Sequence, residues 1–353
     1  METTIKNLLT VAAERGASDL HITVGVRPKC RDHGKLKVME GFEIITPAKS
    51  EELVMSMMNE SQLETIREKG EIDFAYSIRD LGRFRVNAFK QRGSYAAVLR
   101  LVGTTIPEAK SLGVPDSVIE LTKKKRGLVL VTGPTGSGKS TTLASLIDII
   151  NREHDVHIIT LEDPIEYLHN HNRAIVNQRE IGLDTQSYGN ALRAALREDP
   201  DIVLVGEMRD LDTISTAITA AETGHLVFST LHTIGAAPTI DRIIDVFPPH
   251  QQTQVRVQLA SVLESVISQQ LLPTSDGKGR VAAFEVMHGS MAIRNLIREG
   301  KTHQIASIMQ TSKKMGMQTM DDALFDLYLK HKIDGAKAVE YAQDTTAMEE
   351  KIF

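Results

Sequence analysis

Apolar residues at Ile5, Leu8, Leu9 and Ala12 recur at i, i+3, i+4 and i+7, the spacing of one helix face, and Gly16 closes the run. From Leu20 to Val24 the pattern changes to strict alternation, which predicts a strand, and a second helix is expected over 51–58. Three further alternating stretches follow. Ile72, Phe74, Tyr76 and Ile78 share one face of the first. In the second, Phe84, Val86 and Ala88 oppose Arg83, Arg85 and Asn87. The third runs from Tyr95 to Leu101 after a turn at Arg92-Gly93. Residues 1–103 thus read as a small α+β domain with an antiparallel sheet. Pro107, Gly113 and Pro115 then interrupt any periodicity, and 104–115 is expected to be a linker. From Leu121 onward short, continuously apolar runs alternate with helical patterns, as in an α/β domain with a largely parallel sheet, here 116–353. Its last part, 290–353, is expected to be helical. Ser290 can cap a helix that stops at Gly300, and Met320, Ala323, Leu324, Leu327 and Tyr328 trace another apolar stripe.

One of the apolar runs, Leu128 to Thr132, leads into Gly133-Pro134-Thr135-Gly136-Ser137-Gly138-Lys139-Ser140, followed by Thr141. The spacing is that of a phosphate-binding loop between a strand and a helix. Glycines let successive backbone N–H groups converge on phosphate oxygens, Lys139 brings a cation to the β- and γ-phosphates, and the Ser140 hydroxyl suits Mg²⁺. Leu143, Leu146, Ile147 and Ile150 then form the buried face of a helix whose positive end meets the phosphates. The motif implies binding of a nucleoside triphosphate.

Hydrolysis needs a carboxylate opposite the phosphates. Ile202-Val203-Leu204-Val205 reads as a buried strand ending in Gly206-Glu207, and a carboxylate at such a strand end faces the ligand crevice of a parallel sheet. Glu207 suits the polarisation of an attacking water, or Mg²⁺ held through water. A second cluster, Glu162, Asp163 and Glu166, follows the run 156–161 and suits the water shell of Mg²⁺ or the dipole of a helix start. A third run delivers His232 to the same edge, where it can contact a γ-phosphate.

Composition narrows the classes. Of 353 residues, 41% are hydrophobic and 25% charged, as in an ordinary globular chain with room for two domains. Aromatics are 4% and the net charge is −5, which disfavours nucleic acid as a partner. The lone Cys30 excludes an internal disulfide and a cysteine-built metal site. No apolar run approaches the roughly 20 residues that span a bilayer. With no basic stretch at the N-terminus, a cytoplasmic protein is expected, reaching a membrane only through a partner.

The sequence from Leu196-Arg197-Glu198-Asp199-Pro200-Asp201 through Gly206-Glu207-Met208-Arg209-Asp210 resembles the signature of the type II/IV secretion ATPase superfamily. Residues 160–167 resemble its aspartate box, and 224–233 its histidine box. The segment from Ala292 to Glu299, with Gly16 to His21, is similar to the branch of type IV pilus retraction ATPases. The resemblance implies a PAS-like N-terminal domain, a RecA-like ATPase domain with a helical C-terminal part, and a homohexamer with ATP between the domains. It implies that Arg85 and Arg100, with Arg83 and Arg92 nearby, reach the phosphates. It further implies a partner in the pilus platform protein, engaged at the cytoplasmic face of the inner membrane, and a role for 292–299 in coupling. The spacing alone, with Ile293, Leu296 and Ile297 on one face and Arg294 and Arg298 at i, i+4 on another, suits a helix packed on the core. An accessory retraction, assembly or secretion ATPase and a non-motor switch are the competing readings. Ser229 stands where glycine is expected in this branch.

Overall fold

The computed structural model describes residues 2–32, 35–78, 81–102 and 105–353. The chain divides into two units, Met1–Thr105 with Glu166–Leu168, and Ile106–Ile165 with His169–Phe353. The expected 104–115 linker falls at this division. Thr104 lies outside the described residues, and Ala109 and Val114 are buried in the core of the second unit.

The first unit comprises α1 (Ile5–Glu14), β1 (Asp19–Ile22), β2 (Lys29–Asp32), β3 (Lys35–Val38), α2 (Pro47–Met55), α3 (Glu60–Lys69), β4 (Glu71–Ile78), β5 (Gly82–Gln91) and β6 (Ser94–Leu101). Its six-stranded sheet has the order β3-β2-β1-β6-β5-β4 with every neighbour antiparallel. Phe84, Val86 and Ala88 face the core with Leu8, Leu9 and Leu20, as their alternation predicts. Arg92 and Gly93 both take positive φ in the two-residue turn joining β5 to β6. Three elements lie beyond the expectation. β2 and β3 are short, with β3 exposed throughout, and α3 buries only Ile66. The capping box Asn59–Gln62, rather than an apolar stripe, marks the start of α3.

The second unit holds α4 (Asp116–Ile119), β7 (Gly127–Thr132), α5 (Lys139–Glu153), β8 (His157–Glu162), β9 (Ile175–Glu180), α6 (Tyr188–Ala195), β10 (Ile202–Val205), α7 (Leu211–Glu222), β11 (Leu226–Leu231), α8 (Ala236–Asp245), α9 (Pro249–Val262), β12 (Leu263–Pro273) and β13 (Arg280–His288). Helices α10 (Met291–Glu299), α11 (Ile305–Thr311), α12 (Met320–Leu329), α13 (Gly335–Tyr341) and α14 (Thr345–Ile352) follow. The sheet order is β13-β12-β7-β11-β10-β8-β9, parallel except that β13 runs against β12. All six residues of β7 are buried. Leu128 and Leu130 pack with α6–α9, and Val129 and Val131 pack with α5, so the continuous apolar run serves two layers. The C-terminal helices close their own core around Leu272, Met320, Leu324 and Met348.

Helix α10 has the predicted caps, Ser290 and a left-handed Gly300, and buries Ile293 and Ile297. The position of Arg294 corrects the expectation of a free polar face. Its Nε donates to Gly289 O at 2.7 Å, Nη1 to the carbonyls of Ala260 and Ser261 at 2.6 Å each, and Nη2 to Glu264 Oε1 at 2.9 Å. The carbonyls at the end of α9 have no partner within their helix, and the guanidinium satisfies them. Arg298 remains exposed, turned to Asn295. Arg294→Ala should therefore lower stability by about 2–3 kcal/mol, and Arg298→Ala should change it by less than about 0.5 kcal/mol. Urea denaturation of the two variants beside the parent chain measures this, and equal midpoints would remove the clamp.

Candidate active site

The phosphate loop leaves the end of β7. Gly133, Gly136 and Gly138 take φ of +138°, +80° and +90°, a region that side chains strain. Pro134, Thr135 and Gly136 are exposed at the tip, Ser137 is buried beneath it, and Gly138 caps α5. No side chain caps that helix, so the first N–H groups of α5 keep their capacity for an anion. Lys139 curls back over the loop, and its Nζ donates to Gly133 O at 2.8 Å and Pro134 O at 3.0 Å. Ser140 and Thr141 are half-buried in the first turn of α5.

Because β8, β10 and β11 are parallel and in register, their C-terminal ends lie along one edge. Glu162 ends β8, where its Oε1 accepts from Thr160 Oγ1 at 2.6 Å and Gln178 Nε2 at 3.0 Å. Glu207 follows β10 and His232 follows β11, and His232 Nε2 lies 3.1 Å from Glu207 Oε1. Arg209 adds a bidentate contact, with Nε 2.6 Å from Oε1 and Nη2 donating to Oε2 at 2.7 Å. Burial alone would push the Glu207 carboxyl up. Hydrogen bonds from Arg209 and His232 outweigh it and hold the group below the ordinary glutamate value. The Ser229 hydroxyl donates to Val205 O at 2.7 Å inside the sheet, so serine is accommodated where glycine was expected.

Asp163 is exposed just beyond Glu162. Tyr188, at the start of α6, was not anticipated. Burial raises its phenol pKa first, followed by the negative charges of Asp163, Glu207 and Glu162. A Cβ on Gly206 would lie 2.8 Å from that hydroxyl, which gives the glycine before Glu207 its reason. Nothing in the local sequence pattern marks Tyr188 out, because β9 and a loop separate it from Glu162 in the chain.

Glu166, Arg85 and Arg100 belong to the first unit. There Arg85 pairs across β5–β6 with Arg100, which pairs with Asp19 on β1, which pairs with Arg31 on β2. Arg100 Nε donates to Asp19 Oδ1 at 2.8 Å, Arg31 Nε lies 3.9 Å from Oδ2, and Arg85 Nε lies 3.9 Å from Asp73 Oδ1. Burial pushes the Asp19 carboxyl up, but Ser18 and Arg100 hold it below the usual range. Two facing arginines repel, and the buried Asp19 is the counter-charge that lets Arg100 stand beside Arg85.

A glycine loop heading a buried parallel strand, with an ionised, hydrogen-bonded glutamate at the end of a strand in the same sheet, defines a P-loop nucleoside triphosphatase. The chain belongs to the family described as "Type II/IV secretion system protein", whose profile matches residues 1–328. It is 48% identical over 342 residues to the "Type IV pilus retractation ATPase PilT" of Pseudomonas aeruginosa, covering 96% of this chain and 98% of that protein. It is 42% identical over 337 residues to "Type IV pilus ATPase PilU" of the same species, covering 96% and 88%. The crystal structure titled "Pilus Retraction Motor PilT and Bound ADP" superposes with a TM-score of 0.93 at 52% identity, covering 99% of this chain and 100% of that one. The second unit is thus a RecA-like ATPase domain, and the first an antiparallel-sheet domain that precedes it.

The low pKa of Glu207 has a measurable consequence. A group held below its ordinary value keeps its charge to a lower pH than a free glutamate does. Turnover that needs the ionised form should therefore fail at a lower pH than a free glutamate would allow. Arg209→Ala removes the strongest contact holding the pKa down, so the acid limb of the pH–rate profile should move to higher pH. An unchanged limb would detach Glu207 from the rate.

Proposed function

We propose that the chain is the ATP-hydrolysing motor of type IV pilus retraction, acting as a homohexamer at the cytoplasmic face of the inner membrane through the pilus platform protein. The observation that carries this reading is the end-to-end match, in both units, to a retraction ATPase. The 42% identity to a second type IV pilus ATPase, PilU, keeps another pilus ATPase, such as an accessory motor, as the second reading.

In this reading residues 133–141 cradle the phosphates of ATP. Lys139 exchanges its loop carbonyls for the β- and γ-phosphates, and the N–H groups of the loop and of the start of α5 bind the remaining oxygens. Glu207, ionised and oriented by His232 and Arg209, accepts the proton of the attacking water, and Glu162 and Asp163 order the water around it. His232, joined to Glu207, registers whether the γ-phosphate is present. The Ser140 hydroxyl is a hard oxygen donor that fits Mg²⁺, which takes few direct protein ligands. The alternative role of the Glu207 carboxylate is to hold the ion through water. Bound Mg²⁺ supplies charge neutralisation at the phosphate oxygens. Arg85 and Arg100 act on the charge that develops in the transition state of the assembled ring. No helix among the described residues is long and apolar enough to cross a membrane.

Two experiments test this reading. Glu207→Gln should retain nucleotide binding and lose about 10²-fold in turnover, and Arg100→Ala should lose about 10³-fold. Full turnover in the glutamine variant would shift the proton acceptor to Glu162, Asp163 or Glu166. A deletion strain should be piliated but immobile. Bald cells would indicate an assembly motor, and near-normal retraction an accessory one.

A further inference from the structure

Strand β12 runs parallel to β7 with Ser268 opposite Thr132, so Gln269 lies level with the entry to the phosphate loop. Its backbone and its side chain touch that loop at different points. A Cβ on Gly133 would fall 2.2 Å from the Gln269 carbonyl oxygen, so the first glycine of the loop is pressed against β12. A Cβ on Gly138 would fall 2.9 Å from Gln269 Nε2, so the last glycine rests on the side-chain amide. On its other side the amide is anchored, with Oε1 accepting from Thr142 Oγ1 at 2.8 Å in the first turn of α5. Gln269 and Thr142 are 3% and 1% exposed. A neutral amide buried this deeply is costly unless hydrogen-bonded, and a leucine would fill comparable space without that cost. What the amide adds is a fixed orientation. With Oε1 held by Thr142, Nε2 is directed at Gly138.

We propose that Gln269 is a positioning residue for nucleotide binding, holding Gly133, Gly138 and Thr142 in the arrangement that the phosphates require. The proposal deepens the reading of residues 133–141 as the phosphate site and rests on it. Gln269 touches no phosphate in this scheme. It acts through the loop, so its loss should appear in nucleotide affinity and leave the stability of the nucleotide-free protein almost unchanged.

The test is titration of the full chain with a fluorescent ADP analogue, beside thermal melting without nucleotide. Gln269→Leu and Thr142→Val should each weaken ADP binding about tenfold, and the double variant should be little weaker than either, because both remove the same contact. Gln269→Glu keeps the shape and brings a negative charge against the loop. Burial pushes that carboxyl above its ordinary range. The variant should therefore bind ADP poorly where the group is ionised and recover as it takes up a proton, with the melting temperature at each pH separating a loss of binding from a loss of fold. Lys139→Ala is the control, expected to abolish binding. If it binds like the parent chain, the loop reading fails and takes the proposal with it. If it abolishes binding while the Gln269 variants bind ADP normally, or lose affinity only as far as they lose melting temperature, the proposal alone is overturned.

Discussion

The second unit is organised around the burial of β7. Six consecutive residues without solvent exposure leave no water for their N–H and C=O groups, so the strand needs hydrogen-bonding neighbours on both edges. It has them in β11 and β12, both parallel to it. Parallel pairing brings like ends together, which sends Gly133, Glu207 and His232 out at one edge of the sheet. The ligand crevice follows from the hydrogen-bond requirement of an apolar strand.

Charge is arranged along that edge with little redundancy. Glu207 is partly buried, which on its own favours the neutral acid, and it remains a base because Arg209 and His232 bond to its ionised form. In the first unit a single buried Asp19 sits beside Arg100, which faces Arg85. Both cases place a charge where it is costly and stabilise it with one or two directed partners, a pattern that concentrates at functional sites.

Buried polar residues tie the layers of the second unit together. Ser268 Oγ accepts from Gly235 N at 2.9 Å, in the segment that follows His232. Glu285 on β13 accepts from Ala236 N at 2.6 Å at the start of α8, from Met320 N at 3.3 Å at the start of α12, and from Gln343 Nε2 at 2.8 Å. Burial pushes its carboxyl up despite these bonds. One side chain thus links the start of α8, just beyond the histidine-bearing edge, to the C-terminal helices.

The sequence by itself determined the parts whose physics is local. The glycine loop, the apolar runs of β7, β10 and β11, the hairpin at Arg92-Gly93 and the caps of α10 depend on residues within a few positions of one another, and each stands as expected. The strands β12 and β13 were not legible. Ser265, Ser268, Gln269, Gln270 and Glu285 interrupt their apolar pattern, and Ser265, Ser268, Gln269 and Glu285 are buried because distant partners satisfy them. Polar α3 and exposed β3 escaped for the opposite reason, since they bury too little to leave a pattern. The site divides in the same way. Lys139 and Glu207 announce themselves by motif, whereas Tyr188 against Gly206, Asp19 beside Arg100 and the Arg294 clamp exist only once strands and helices far apart in the chain are packed. Hydrogen bonds between residues that are neighbours only in space leave no periodicity to read, and only the tertiary structure decided them.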